Sequence, residues 1–125
     1  MFPKQRKRRL RNSNSIRKIV SENLLTVNDL VTPIFLTEGE KIKEEIESMP
    51  DYFRLSLELL EEEIDSLWRL GLKAVLLFAK IPNKLKDNKG TEALNENGLM
   101  QKGIKLIKSI NPEILVISDV ALDPY

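Results

Sequence analysis

Cysteine and histidine are both absent from the 125 residues. That excludes disulfides, thiol nucleophiles, Cys/His zinc sites and a histidine general base in one step. A metal held within this segment would need oxygen ligands, which favours magnesium, calcium or a monovalent cation. No apolar stretch approaches the roughly 18 to 20 residues that cross a bilayer, so no membrane span is expected. The glycines do not form G-x-G-x-x-G, and no G-x-x-x-x-G-K-[ST] occurs, so the common nucleotide-binding fingerprints are missing too. Acids are absent from one stretch in particular. Met1 to Val20 holds Lys4, Arg6, Lys7, Arg8, Arg9, Arg11, Arg17 and Lys18 without a single carboxylate.

What remains is a globular composition, 42% apolar and 31% charged, on a chain long enough for one domain with a real core. The net charge of +1 conceals an asymmetry. Between Glu38 and Asp65 eleven acids face only Lys41, Lys43 and Arg54. A basic arm beside an acidic body suggests either a polyanionic ligand or self-association of arm on body. The arm sequence "KQRKRRLRNSNS" has no sustained apolar period and reads as extended and solvated. Three roles are open to it: phosphate contacts to nucleic acid, a transit peptide, or an oligomerisation arm. No aromatic beyond Phe2 interleaves the basic run, which weakens single-strand binding.

Beyond the arm, Leu30 to Leu36 forms a short apolar strand. Pro33 must sit at its beginning or where the missing N–H is not needed. A polar, glycine-containing stretch follows through "TEGEKIKEEIESMPDYF". Ser56 or a neighbour then caps a helix whose Leu57, Leu60, Ile64 and Leu67 share one face. Trp68 broadens that stripe, and Gly71 suits the C′ position that ends it. Ala74 to Ala79 is a second strand, apolar on both faces, as in a parallel sheet covered by helices. A second helix is capped near Asn95 or Asn97, carries Met100, Ile104 and Ile107, and stops before Pro112. Ile114 to Val120 is the third strand. Alternation of β, α, β, α, β points to a parallel α/β sheet, doubly wound or a barrel.

Few residues offer chemistry. "NENG" and "DNKG" are turn signals, and Glu61, Glu62 and Glu63 form a solvated helix face favoured by the helix dipole. Asp119 is different, because it follows a buried strand at the end where α/β sheets and barrels bind ligands. The bland alternative is that Asp119 caps the next turn and Asp123-Pro124 makes it.

The ending "DVALDPY", Asp119 to Tyr125, resembles the metal-region motif of the porphobilinogen synthase family, also called delta-aminolevulinic acid dehydratase. "RRLR" at Arg8 to Arg11 is similar to the family's basic arm motif, and "LTVNDLVTPIFLTEGE" to its first strand and exit. "SMPDYFRLSLE", "AVLLFAKIP", "GTEALNENGLMQKGIK" and "ILVISDVALDPY" follow in the family's order and spacing.

That resemblance implies an N-terminal arm, residues 1–24, followed at residues 25–125 by the first three β/α units of a TIM (β/α)8 barrel. A whole barrel needs about 250 residues, so the expectation is a barrel truncated after its third strand. It also implies a cytoplasmic hydro-lyase of haem biosynthesis that joins two 5-aminolevulinate molecules into porphobilinogen through lysine Schiff bases. Those lysines are expected downstream of Tyr125, so this chain would hold no catalytic residue and be inactive alone. Asp119 becomes a substrate-side candidate. Many members bind zinc through cysteines in this stretch; here Ala121 and Asp123 stand at those positions. The resemblance is therefore to an aspartate-rich branch, with Asp123 a hard donor for magnesium or potassium and zinc not expected. It further implies a homo-oligomer in which the arm wraps a neighbour, a reading that displaces nucleic acid and targeting. The alternatives are a non-catalytic oligomerisation or regulatory module docking on a full-length synthase, and a basic-armed nucleic-acid-binding domain.

Overall fold

The computed structural model describes residues 8–125, so Lys4, Arg6 and Lys7 of the basic run lie outside the described residues. Helix α1 (Asn14–Ile19) follows a short 3-10 turn at Arg9–Arg11. It starts where the Ser13 hydroxyl oxygen accepts the Ile16 N–H at 3.2 Å, the usual remedy for an orphan amide at a helix start. None of the arm's described residues is buried.

Five strands form one sheet: β1 (Val31–Leu36), β2 (Lys43–Ile46), β3 (Met49–Leu55), β4 (Ala74–Ala79) and β5 (Leu115–Ser118), ordered β2-β3-β1-β4-β5. Strands β1, β4 and β5 run parallel and are joined by α2 (Leu57–Arg69) and α3 (Leu99–Ile110). This is the expected β, α, β, α, β core.

The β2–β3 antiparallel hairpin was not expected, because residues 43–55 read as a polar connection. Three glutamates in five positions and Pro50 suppress the strand signal. Glu44 lies opposite Arg54, so that pair's charges are satisfied across the ladder, while Glu45, opposite Phe53, stays exposed to solvent. The hairpin joins β1 at only two residue pairs, Phe35 with Arg54 and Leu36 with Leu55.

Pro33 fits this edge. The Lys80 N–H donates to the Leu36 carbonyl and the Thr37 N–H to the Leu55 carbonyl, so successive β1 residues address opposite neighbours. Pro33, in phase with Thr37, turns its missing N–H to the side where β3 does not reach. The Tyr52 hydroxyl donates to the Pro33 carbonyl at 2.5 Å.

Side chains alternate across each strand. Ile34, Leu36, Val75 and Leu77 pack under α2 and α3 against Leu60, Ile64, Leu67, Met100 and Ile107. Seven of these nine residues are at 3% exposure or less. Where α3 crosses, Gly103 brings the helix so close that a Cβ there would stand 2.4 Å from Leu36 Cδ1. The opposite face holds Phe35, Leu76 and Phe78, half-buried. Full burial of both faces does not hold for β5: Leu115 is 57% exposed.

Helix ends deserve two corrections and one agreement. Gly71 does sit at C′ of α2, with φ +92°. The Leu72 N–H reaches the Leu67 carbonyl and the Gly71 N–H the Trp68 carbonyl, a Schellman closure. Ser56 stands at the N-cap of α2, yet its buried hydroxyl accepts the Ile42 N–H at 2.9 Å instead of a helix amide. The N-cap of α3 is Gly98, not Asn95 or Asn97. Asn95 is occupied in the preceding turn, where its side chain accepts the Asn97 N–H. Strand β5 also ends at Ser118, short of the expected Val120, because the chain turns at Asp119.

Candidate functional site

The registers align one row of side chains across the half-open face. Glu44 on β2 opposes Arg54 on β3, Arg54 opposes Phe35 on β1, and Phe35 opposes Phe78 on β4. Leu77 pairs with Ser118, so the next residue, Asp119, comes level with Phe78 just past the C-terminal end of β5. The Phe35 and Phe78 rings stack at 5.1 Å and 15°, and Tyr52 meets Phe35 edge-on at 5.9 Å and 88°. An apolar aromatic floor thus lies between a charged group at one end and a carboxylate at the other.

The charged group is a network. Lys80, two residues beyond Phe78 and so on the same face, donates to both Glu44 oxygens at 2.8 and 2.9 Å. Arg54 donates to Glu44 at 3.2 Å. The Lys80 hydrogen bond, aided by its charge and that of Arg54, holds the Glu44 carboxyl below the usual glutamate value.

Asp119 is exposed, and its Oδ1 accepts the Ala121 N–H at 3.2 Å. The turn-capping role is therefore real. It uses one oxygen in a local Asx turn; the other has no hydrogen-bond partner among the described residues. Asp119 lines a cavity of about 40 Å³ with Phe78, Met100, Pro124 and Tyr125. Burial, and then the negative charges of Glu92 and Asp119, push the Tyr125 phenol above its ordinary value.

Asp123 is exposed in the turn closed by the Tyr125 N–H on the Leu122 carbonyl. Among the described residues no three carboxylates come together as a metal group. Asp123 can contribute one hard oxygen donor, which alone is not a site. Glu61, Glu62 and Glu63 lie on the exposed face of α2, as expected. Sequence reasoning missed Glu44, Arg54 and Lys80. Lys80 had a usable signal, its phase with Phe78 at a strand's C-terminal end; Glu44 and Arg54 were hidden with the hairpin. No helix among the described residues is long and apolar enough to cross a membrane.

The sequence model described as delta-aminolevulinic acid dehydratase matches residues 4–125. The chain belongs to the delta-aminolevulinic acid dehydratase family. It is 45% identical over 121 residues to the delta-aminolevulinic acid dehydratase of Chlamydia pneumoniae, covering 97% of this chain and 36% of that protein. It is 44% identical over 124 residues to that of Methanothermus sociabilis, covering 99% and 38%. The crystal structure of porphobilinogen synthase from Toxoplasma gondii ME49, in complex with the reaction product porphobilinogen, superposes with a TM-score of 0.90 at 37% identity. That match covers 98% of this chain and 35% of the other. The chain therefore spans little more than a third of these relatives' length, and its sheet and helices are part of a barrel of that family.

Proposed function

We propose that this chain is the N-terminal part of a cytoplasmic porphobilinogen synthase, with residues 1–24 as arm and 25–125 as the opening segment of the barrel. In this reading 5-aminolevulinate is the substrate. The observation that supports it best is the near-complete superposition on a synthase bound to porphobilinogen, with Asp119 level with Phe78 beyond the C-terminal end of β5. Barrels of this class bind ligands at that end.

Asp119 is a substrate-side residue whose free oxygen accepts from the substrate's amine. The Schiff-base lysines implied by the family correspond to none of this chain's lysines and come from further β/α units. Without an amine to condense with each ketone, this chain makes no porphobilinogen alone. Asp123 would supply one oxygen donor to magnesium or potassium, whose positive charge would orient substrate; its oxygen chemistry does not suit zinc. The arm, with Arg8, Arg9, Arg11 and Arg17 exposed, packs on a neighbouring subunit.

The test is porphobilinogen formation from 5-aminolevulinate, by the chain alone and after joining it to the remaining β/α units of a relative. Activity is expected only in the joined protein, and Asp119→Asn should lower it by about 10²-fold or more, the scale for loss of a positioned acid–base group. The joined protein should survive a zinc-selective chelator. Turnover by the repurified chain alone, or full activity of the Asp119 variant, would reject the assignment.

A further inference from the structure

Glu44, Arg54 and Lys80 have no part in the chemistry just proposed, yet they stand at one end of its side-chain row. Their connectivity is unusual for a surface ion group. Glu44 belongs to β2, which pairs only with β3. Lys80 directly follows β4, two strands beyond β3, with β1 between. The Lys80–Glu44 contact therefore passes above Phe35 and ties the outermost strand to the centre of the sheet.

That tie matters because the hairpin is otherwise thinly attached. Its ladder to β1 has two residue pairs. Its other ties to β1 and its exit are the Tyr52 hydroxyl on the Pro33 carbonyl and the Thr37 N–H on the Leu55 carbonyl; the exchange of hydrogen bonds between Ile42 and Ser56 only closes the hairpin's own base. Tyr52 also supplies the edge-on contact to Phe35, so a shift of the hairpin moves the aromatic floor.

We propose that Glu44 is a positioning residue: through Lys80 and Arg54 it clasps the β2–β3 hairpin across the C-terminal mouth of the sheet and fixes the wall beside Phe35, Phe78 and Asp119. The functional weight of that wall rests on the synthase reading; the clasp itself does not. The side chains of Glu44 and Lys80 are 39% and 52% exposed, which makes the clasp modest in strength and sensitive to salt.

Hydrogen exchange of the 125-residue chain at low ionic strength tests it. Glu44→Gln and Lys80→Met should each speed exchange of the hairpin amides, residues 43–55, by about two- to fivefold. Residues 74–79 should keep their rates. The double variant should exchange no faster than Glu44→Gln alone, since that substitution already removes both partners' ties to Glu44. About 1 M salt should reproduce the effect in the native chain and add little in the variants. Unchanged hairpin rates in both single variants would overturn the proposal, as would additive effects in the double. In the joined protein, Glu44→Gln should raise KM about two- to fivefold while kcat stays within about twofold. A kcat loss with unchanged KM would contradict a positioning role. If the native joined protein forms no porphobilinogen, the synthase reading fails and the exchange result still decides the clasp.

Discussion

Gly103→Ala sets two known effects against each other at one atom. Replacing glycine inside α3 gains about 1 kcal/mol of helix propensity, because alanine loses less backbone entropy. The added Cβ, however, would stand 2.4 Å from Leu36 Cδ1 and 3.2 Å from Leu77 Cδ2, against the roughly 3.5 to 4.0 Å of a relaxed carbon contact. Both leucines are at 0% exposure and have no free side to move into. Either Leu36 leaves its rotamer or α3 lifts off Ile34, Leu36 and Leu77; overpacking of this kind costs about 1 to 3 kcal/mol. The net expectation is a loss of up to about 2 kcal/mol. Urea unfolding followed by the fluorescence of Trp68, the single tryptophan, at fixed protein concentration measures it. Leu36→Val shortens the obstructing side chain, so the double variant should be more stable than the two single losses added together, by about 0.5 kcal/mol or more. A Gly103→Ala variant stabilised by the full propensity gain, or strictly additive costs, would show that the helix does not sit on the sheet as described.

Gly71→Ala forces an alanine to φ +92° and brings its Cβ to 3.2 Å from Val27 Cγ1; a loss of about 1 to 2 kcal/mol in urea melts is expected. Acid should loosen the hairpin. The folded Glu44 carboxyl titrates below its ordinary 4.5, so its contribution is present above that value and is lost as pH falls through the lowered one; a drop in hairpin protection on acidification, taken relative to the intrinsic exchange rate at each pH and absent in Glu44→Gln, checks this. Base should also loosen it, through Tyr52, whose phenol is raised above 10.0 by burial and then by Glu63; its contribution is present below 10.0 and lost as pH rises beyond it, a loss absent in Tyr52→Phe. Finally, the isolated chain should self-associate, because β5 presents an unpaired edge beside exposed Leu115 and Ile117. Light scattering that reports a monomer with a sharp melt would refute that.

The sequence disclosed the elements whose periodicity is clean. Leu60, Ile64 and Leu67 recur at helical spacing and are the residues that α2 buries. "AVLLFA" is continuously apolar and is a central strand with parallel neighbours on both sides. Gly71 was legible because a left-handed C′ residue is a local requirement. The hairpin was not, because its pairing is settled by tertiary partners: Glu44 finds Arg54 ten residues on and Lys80 far beyond. The cap of α3 was misread for a related reason. Asn95 and Asn97 are both good caps, and the choice fell to Gly98 only once Asn95 was engaged in its own turn. For the site, the position of Asp119 followed from strand polarity alone, while the network at the other end of its row depended on the unseen hairpin.

The half-open face has charge at one end only, the end where the proposed reading puts the chemistry. Level by level from the N-terminal end, its pairs are Val31 with Ala74, Pro33 with Leu76, and Phe35 with Phe78. The lower two levels carry no charged side chain on β1, β4 or β5. Charge appears only level with Phe35 and Phe78 or beyond, as Arg54, Glu44, Asp119 and Lys80. An apolar base can pack densely when the remaining barrel strands enclose it, and it keeps water from approaching the aromatic row from below. Electrostatic interactions strengthen where water is excluded, so the same charges would be weak at the N-terminal end of an open sheet and become effective at the mouth of an enclosed one. The gradient from apolar base to charged rim, written residue by residue along β1 and β4, is what would let this sheet serve as one wall of the site in the proposed synthase.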